Sequence, residues 1–162
     1  MFIINMLMKK DLKQRFSFLV NDVARIYGRH FDQLTREQIG LSRAQCRLIG
    51  ALAMNDGPMS QAALAERMDL TSMAVAGLCD RMVAGGWVRR EASVSDRRAN
   101  EIHLEPKAAA ALEAALAISD SIQARVMAGF SAAEKTQLLS LLRRAHTNVL
   151  ALTHEPEQES LP

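Results

Sequence analysis

The sequence predicts a mainly α fold with one small β-hairpin, and three observations carry that prediction. Apolar residues recur at three-and-four spacing over much of the chain, the mark of helices with one buried face. That rhythm gives way after Gly85-Gly86 to two short strand-like runs around a polar, arginine-bearing loop. Pro106 and Ser131 then open two further helical stretches. With 162 residues, 49% of them hydrophobic, the chain has enough apolar material for a domain core.

The elements follow in order. Leu12, Phe16, Leu19, Val20, Val23, Ile26, Tyr27, Phe31 and Leu34 lie on one face of a long helix over residues 11–34, and Gly40 ends the connection after it. Ser42 has the chemistry of an N-cap for a helix over 44–54, which the turn Asn55-Asp56-Gly57-Pro58 closes. Ser60 caps a third helix over 61–68. Thr71 caps a fourth over 72–84, with Val75, Leu78 and Met82 as its inward stripe. Residues 87–90 read as a strand, 92–98 as a polar loop and 100–104 as the returning strand. A helix, a turn, a second helix and a hairpin make the order of a winged helix-turn-helix. An alanine-rich helix from Pro106 to about residue 127 follows. The capping-box spacing Ser131 to Glu134 starts a last one.

The expected organisation is therefore an N-terminal dimerisation helix (1–36), a winged helix-turn-helix (37–105), C-terminal dimerisation helices (106–153) and a disordered tail (154–162). The terminal helices are too long and apolar for a winged helix of about 60 residues to bury, so a second copy of the chain is expected to cover them. Residues 1–8 are apolar but lack a positive leader and a small-residue cleavage site. They are expected to be a loose tail or an extra turn on a partner. No run approaches the ~18 uninterrupted apolar residues of a membrane span, and a cytoplasmic protein is expected.

Composition removes several function classes. Cys46 and Cys79 form neither a disulfide framework nor a Cys-x-x-Cys pair, and both are expected in the core. His30, His103, His146 and His154 have no ligand spacing, so neither metal nor cofactor is expected. Gly85-Gly86 runs into Trp87 and makes no phosphate loop, and no nucleophile elbow appears, so an enzyme is not expected. The formal charge is +2, with Glu155, Glu157 and Glu159 crowded into the tail. The rest of the chain is thus more basic, which permits a nucleic-acid partner.

In a helix-turn-helix the second helix enters the major groove. Here its outward positions are Thr71, Ser72, Met73, Ala76 and Gly77: two hydroxyls able to reach phosphate or base, then small or soft side chains that allow close approach to thymine methyls. No arginine, asparagine or glutamine projects from its first two turns, which shifts specificity toward DNA shape and toward the hairpin. The alternative is that these small residues pack on another helix. Ser60, Gln61 and Arg81 complete the expected DNA-facing set. In the hairpin loop Arg97 and Arg98 stand near the tip, with Asp96 placed to brace one guanidinium while the other enters a narrow minor groove. From residue 81 to 98 five arginines (Arg81, Arg89, Arg90, Arg97, Arg98) face only Glu91 and Asp96. A winged helix used for protein contact is the rival reading, and the basic hairpin argues against it.

Residues 22–107 resemble the MarR family, the multiple-antibiotic-resistance type of bacterial repressor. The likeness rests on Asp22-Val23-Ala24-Arg25, Phe31-Asp32, Gly40-Leu41-Ser42, Gln61-Ala62-Ala63-Leu64-Ala65, Leu78-Cys79-Asp80-Arg81-Met82, Gly86-Trp87-Val88 and, most specifically, Asp96-Arg97-Arg98. The resemblance implies a triangular homodimer with two winged lobes astride a pseudo-palindromic operator in double-stranded DNA, and a small aromatic effector that relieves repression. Many members carry hydroxyl or basic side chains where this chain has Ala74, Ala76 and Gly77, so their base contacts do not transfer. The implied effector pocket would take Phe16, Val20, Tyr27 and Phe31 as an apolar wall with Arg25, His30 or Arg47 as anion partner. The other reading puts those aromatics in the dimer core. Peroxide-sensing relatives use a cysteine on the first helix, and this chain has none there.

Overall fold

The structure, a computed structural model, describes residues 12–93 and 100–152. They fall into two compact units, one up to Ile122 and one from Gln123 onward. The first unit opens with α1 (Phe16–Ile39), after a short helical stretch at 12–14 that breaks where Arg15 takes extended backbone. α1 continues five residues past the expected end at 34. Its stop is a left-handed Gly40 (φ 69°), whose N–H donates to the Arg36 carbonyl while Leu41 N–H donates to that of Thr35. This pair of bonds satisfies carbonyls that the helix end leaves open, and glycine takes the conformation without Cβ strain. The polar run Thr35-Arg36-Glu37-Gln38 hides the continuation from the periodicity. Thr35 is nevertheless fully buried, and Ile39 packs on the core.

α2 (Arg43–Ala53) starts at a complete capping box: Gln45 N–H donates to Ser42 Oγ, and Ser42 N–H donates to Gln45 Oε1 at 2.9 Å. Its buried face is Cys46, Leu48, Ile49, Ala51 and Leu52. β1 (Met59–Ser60) adds a third strand to the expected hairpin: it pairs antiparallel with β3, Met59 opposite Ile102 and Ser60 opposite Glu101. A two-residue strand is too short to show alternation, so nothing in the sequence separates it from the turn before α3. α3 (Gln61–Met68) and α4 (Ser72–Ala84) carry side-chain caps from Ser60 and Thr71 at 3.1 and 3.2 Å. β2 (Val88–Ala92) and β3 (Asn100–Leu104) complete a sheet of order β1-β3-β2.

The core gathers Leu41, Leu48, Ile49, Leu64, Met68, Val75, Met82, Val88 and Ile102, each at most 2% exposed. α5 (Pro106–Val126) joins it through the small face of Ala108, Ala111 and Ala115, which lets the helix axis approach closely. In the second unit Gly129 (φ 83°) turns the chain after α5. α6 (Ala132–Leu152) then starts where Ser131 and Glu134 cap each other, at 2.8 Å from Ser131 N to Glu134 Oε2. No residue of α6 is buried within the single chain. Among the described residues no helix is long and apolar enough to cross a membrane.

Candidate nucleic-acid interface

α4 is the second helix of the helix-turn-helix, and its two faces differ sharply. Val75, Leu78, Cys79 and Met82 are buried at 3% or less, which locks its rotation about the axis. Opposite them Thr71, Ser72 and Ala74 are exposed and Met73 is 85% exposed, while Ala76 and Gly77 are half-buried. Thr71 Oγ1 is engaged as the cap of its own helix, accepting from Ala74 N–H, and Ser60 Oγ does the same for α3. Those two hydroxyls therefore place helix starts, and Ser72 keeps a hydroxyl with no such duty. Gln61 is half-buried, with its side chain against the buried Cys79 thiol. The left-handed Asp69 (φ 51°) makes the tight turn that separates α3 from α4.

The arginines sort differently from their count. Arg89 contacts Glu91 at 2.7 Å and Glu105 at 3.4 Å, and Arg90 contacts Asp80 on α4 at 2.7 Å. The Arg89 guanidinium holds the Glu91 carboxyl below its usual range. Exposed pairs such as these contribute little stability, but they neutralise the strand bases and tie β2 to α4. Glu91 faces Glu101 directly across the β2–β3 pair, and His103 Nε2 lies 3.3 Å from Glu91 Oε2 between the two carboxylates. Arg81 is exposed and, among the described residues, makes no ion pair. Asp96, Arg97 and Arg98 lie outside the described residues.

The residues expected around an effector stand in different surroundings. Phe16 and Val20 are 58% and 40% exposed. Tyr27 is half-buried and its hydroxyl pairs with Ser119 Oγ on α5 at 2.8 Å, while Phe31 packs against the core. His30 is half-buried. Arg25 pairs with Asp22, and Arg47 donates to the Met68 carbonyl at 2.8 Å, pinning α2 to the end of α3. Arg25 and Arg47 do line one groove, between α1 and α2, without the aromatics. Burial pushes the thiols of Cys46 and Cys79 up, so neither is a ready thiolate.

Sequence reading missed one interaction at the hairpin's root. Lys107 Nζ sits 3.9 Å from the centroid of the Trp87 ring and donates to the Gly85 carbonyl at 2.9 Å, which fastens the start of α5 to the α4–β2 turn. A Cβ on Gly85 would come within 2.6 Å of the indole, so glycine there leaves the ring its place. The one legible signal was the Gly-Gly-Trp run itself.

Residues 39–99 match the family model described as the MarR family. Along the sequence the chain is 27% identical to the transcriptional regulator HosA of Escherichia coli O127:H6 (strain E2348/69 / EPEC) over 124 residues, 76% of this chain and 91% of that protein. The fold is similar to the crystal structure of the MepR–DNA complex of S. aureus, at a TM-score of 0.68 and 21% identity over 83% of this chain and 98% of that one. It is equally close to CouR of Rhodococcus jostii RHA1 bound to p-coumaroyl-CoA, at 0.68 and 19% over 82% and 91%. The match covers the capped helix pair and the strand that follows it, the segment in which the geometry concentrates its exposed helix face. Residues 39–99, the winged-helix segment, are thus the part of the chain that matches the MarR family.

Proposed function

We propose that the chain is a MarR-family regulator that binds duplex DNA as a homodimer on a pseudo-palindromic site, represses transcription there, and releases the DNA when a small aromatic acid binds. The observation that carries the DNA reading is α4: its inner face is locked in the core, Ser72 and Met73 are exposed at its capped N-terminus, and the small Ala76 and Gly77 behind them, half-buried, leave room for close approach. Such a helix end favours phosphate, since its free N–H groups and dipole point at the ligand. The apolar residues left exposed on α1, among them Phe16, Phe18, Leu19, Val23 and Ile26, support a second copy as the cover of that helix. MepR, of similar fold, has been solved on DNA, and CouR with an aromatic thioester. The role is binding, not catalysis.

The test is operator affinity at several salt concentrations, on fragments selected from genomic DNA, for wild type and for Arg97→Ala, Arg98→Ala and Asp96→Ala. An inserted wing arginine predicts a loss on the order of 1 to 3 kcal/mol per half-site. It also predicts a slope of log K against log salt shallower by about 0.9 for each phosphate charge no longer neutralised. Asp96→Ala should weaken binding while the slope stays near that of wild type. Wild-type affinity and slope in both arginine variants would exclude the wing as a DNA contact.

The effector reading rests on Tyr27, His30 and Phe31, neighbouring half-buried residues of α1, of which Tyr27 reaches Ser119 on α5. A panel of benzoates and cinnamates should raise the melting temperature progressively with concentration, as mass action requires for a ligand of the folded state. The same compounds should release bound DNA. A panel that moves neither the melting temperature nor DNA affinity would exclude an aromatic acid as the signal.

A further inference from the structure

Five arginines converge where α1 meets α2. Arg25, Arg29 and Arg36 lie on one face of α1, Arg43 and Arg47 follow on the first turns of α2, and together they line a groove of about 510 Å³. Asp32 is the only carboxylate in the lining, and both its oxygens are engaged: Oδ1 accepts from Arg43 N–H at 2.6 Å and Oδ2 from Arg36 Nε at 2.8 Å. Those bonds hold the Asp32 carboxyl below its usual range, so it remains a fixed internal anion at the start of α2. Arg47 is held by the Met68 carbonyl and Arg25 by Asp22. Among the described residues no carboxylate pairs with Arg29 or with the Arg43 guanidinium.

Gly28 supplies an independent observation. It is buried in the middle of α1, where glycine costs roughly 1 kcal/mol relative to alanine. A Cβ at this position would lie 2.1 Å from Nη1 of Arg43 and 2.6 Å from its Cζ. The bare backbone is thus the seat of the Arg43 guanidinium, which lies over the helix and turns into the groove. The surplus of fork-shaped donors over available carboxylates matches an anion with several charged oxygens, because each guanidinium can hold two oxygens at once.

We infer that the α1–α2 groove is a binding site for a phosphate-bearing small molecule of the pyrophosphate or nucleotide class, held by Arg29 and by the Gly28-seated Arg43. The groove's size is that of a ligand pocket, and no residue of α4 or of the sheet lines it, which favours a small molecule over DNA phosphates. The groove shares Arg25 and Arg47 with the residues expected around an aromatic acid, but Phe16, Val20, Tyr27, His30 and Phe31 are absent from its lining, and the two arginines proposed to hold the phosphates, Arg29 and Arg43, belong to neither that set nor the DNA-facing one.

The experiment is calorimetric titration of the full chain with sodium pyrophosphate at about 0.15 M salt, where long-range surface attraction is screened. Wild type should bind saturably, and Arg29→Gln and Arg43→Gln should each raise Kd by about tenfold to a hundredfold, the worth of a charge-assisted hydrogen bond. Gly28→Ala is the deciding variant. The overlapping atoms are the movable end of Arg43, so the protein should fold as well as wild type while its pyrophosphate Kd rises by the same factor. Arg125→Gln, on an exposed arginine of α5, should bind as wild type. Absence of saturable binding by wild type overturns the inference, as does wild-type affinity in both Gly28→Ala and Arg43→Gln. Loss of DNA affinity with a flatter salt slope in Arg29→Gln and Arg43→Gln, without pyrophosphate binding, overturns it in favour of DNA phosphates. A failed benzoate panel leaves it standing.

Discussion

Met73→Glu should weaken operator binding by about 1 to 3 kcal/mol in each half-site, and so by roughly twice that in a dimer. Met73 is 85% exposed in the first turn of α4, where its side chain supports no packing. A carboxylate there meets the DNA phosphates head-on and loses the apolar contact that methionine offers to a thymine methyl. The same substitution acts on the free protein with the opposite sign. The first turn of α4 holds no acidic residue, and a negative charge at a helix N-terminus stabilises it by roughly 0.3 to 1 kcal/mol. Affinity should therefore fall while the urea midpoint holds or rises, and Met73→Leu should leave both near wild type. Undiminished DNA binding by a folded Met73→Glu protein would show that α4 does not face the major groove.

Leu48→Ala should destabilise the fold by about 2 to 5 kcal/mol, the usual range for a buried leucine cut to alanine. Leu48 is 0% exposed at the centre of α2, inside the cluster that joins Leu64, Met68, Val75, Met82 and Ile102. The substitution removes apolar area from burial and leaves a hole that a close-packed interior refills only in part. Met54→Ala is the contrast: at 73% exposure the same kind of truncation should change stability by no more than about 0.5 kcal/mol. Denaturant unfolding checks both, read from the midpoint at constant slope. A Leu48→Ala loss below about 1 kcal/mol would place the centre of the core elsewhere.

Much of the fold was legible in the chain because its signals are local. Ser42, Ser60, Thr71 and Ser131 each cap a helix at the expected place, and α3 and α4 begin and end where their caps and breakers put them. The inward stripe Val75, Leu78 and Met82 could be read from spacing alone, since a helix turns 3.6 residues per cycle whatever surrounds it. The outward face that carries the DNA reading followed by subtraction. The sequence by itself therefore determined the helix-turn-helix, the presence of a hairpin after it and the residues that α4 exposes.

What remained depends on contacts between distant segments, which no local pattern encodes. The extension of α1 to Ile39 rests on Thr35 and Ile39 meeting the core, and the strand at Met59 exists only because β3 lies beside it to pair with. The five arginines from 81 to 98 looked like one basic patch, yet Arg89 and Arg90 are matched by Glu91, Glu105 and Asp80 once the strands and α4 come together. The reverse holds at α1 and α2. There arginines scattered from 25 to 47 over two helices, of which the sequence pointed only to Arg25 and Arg47, converge into one groove, and a mid-helix glycine becomes the seat of a guanidinium. Charge in a sequence is a count, whereas charge in a fold is a set of distances. Only the tertiary structure decides which cations are matched and which are left to bind something else.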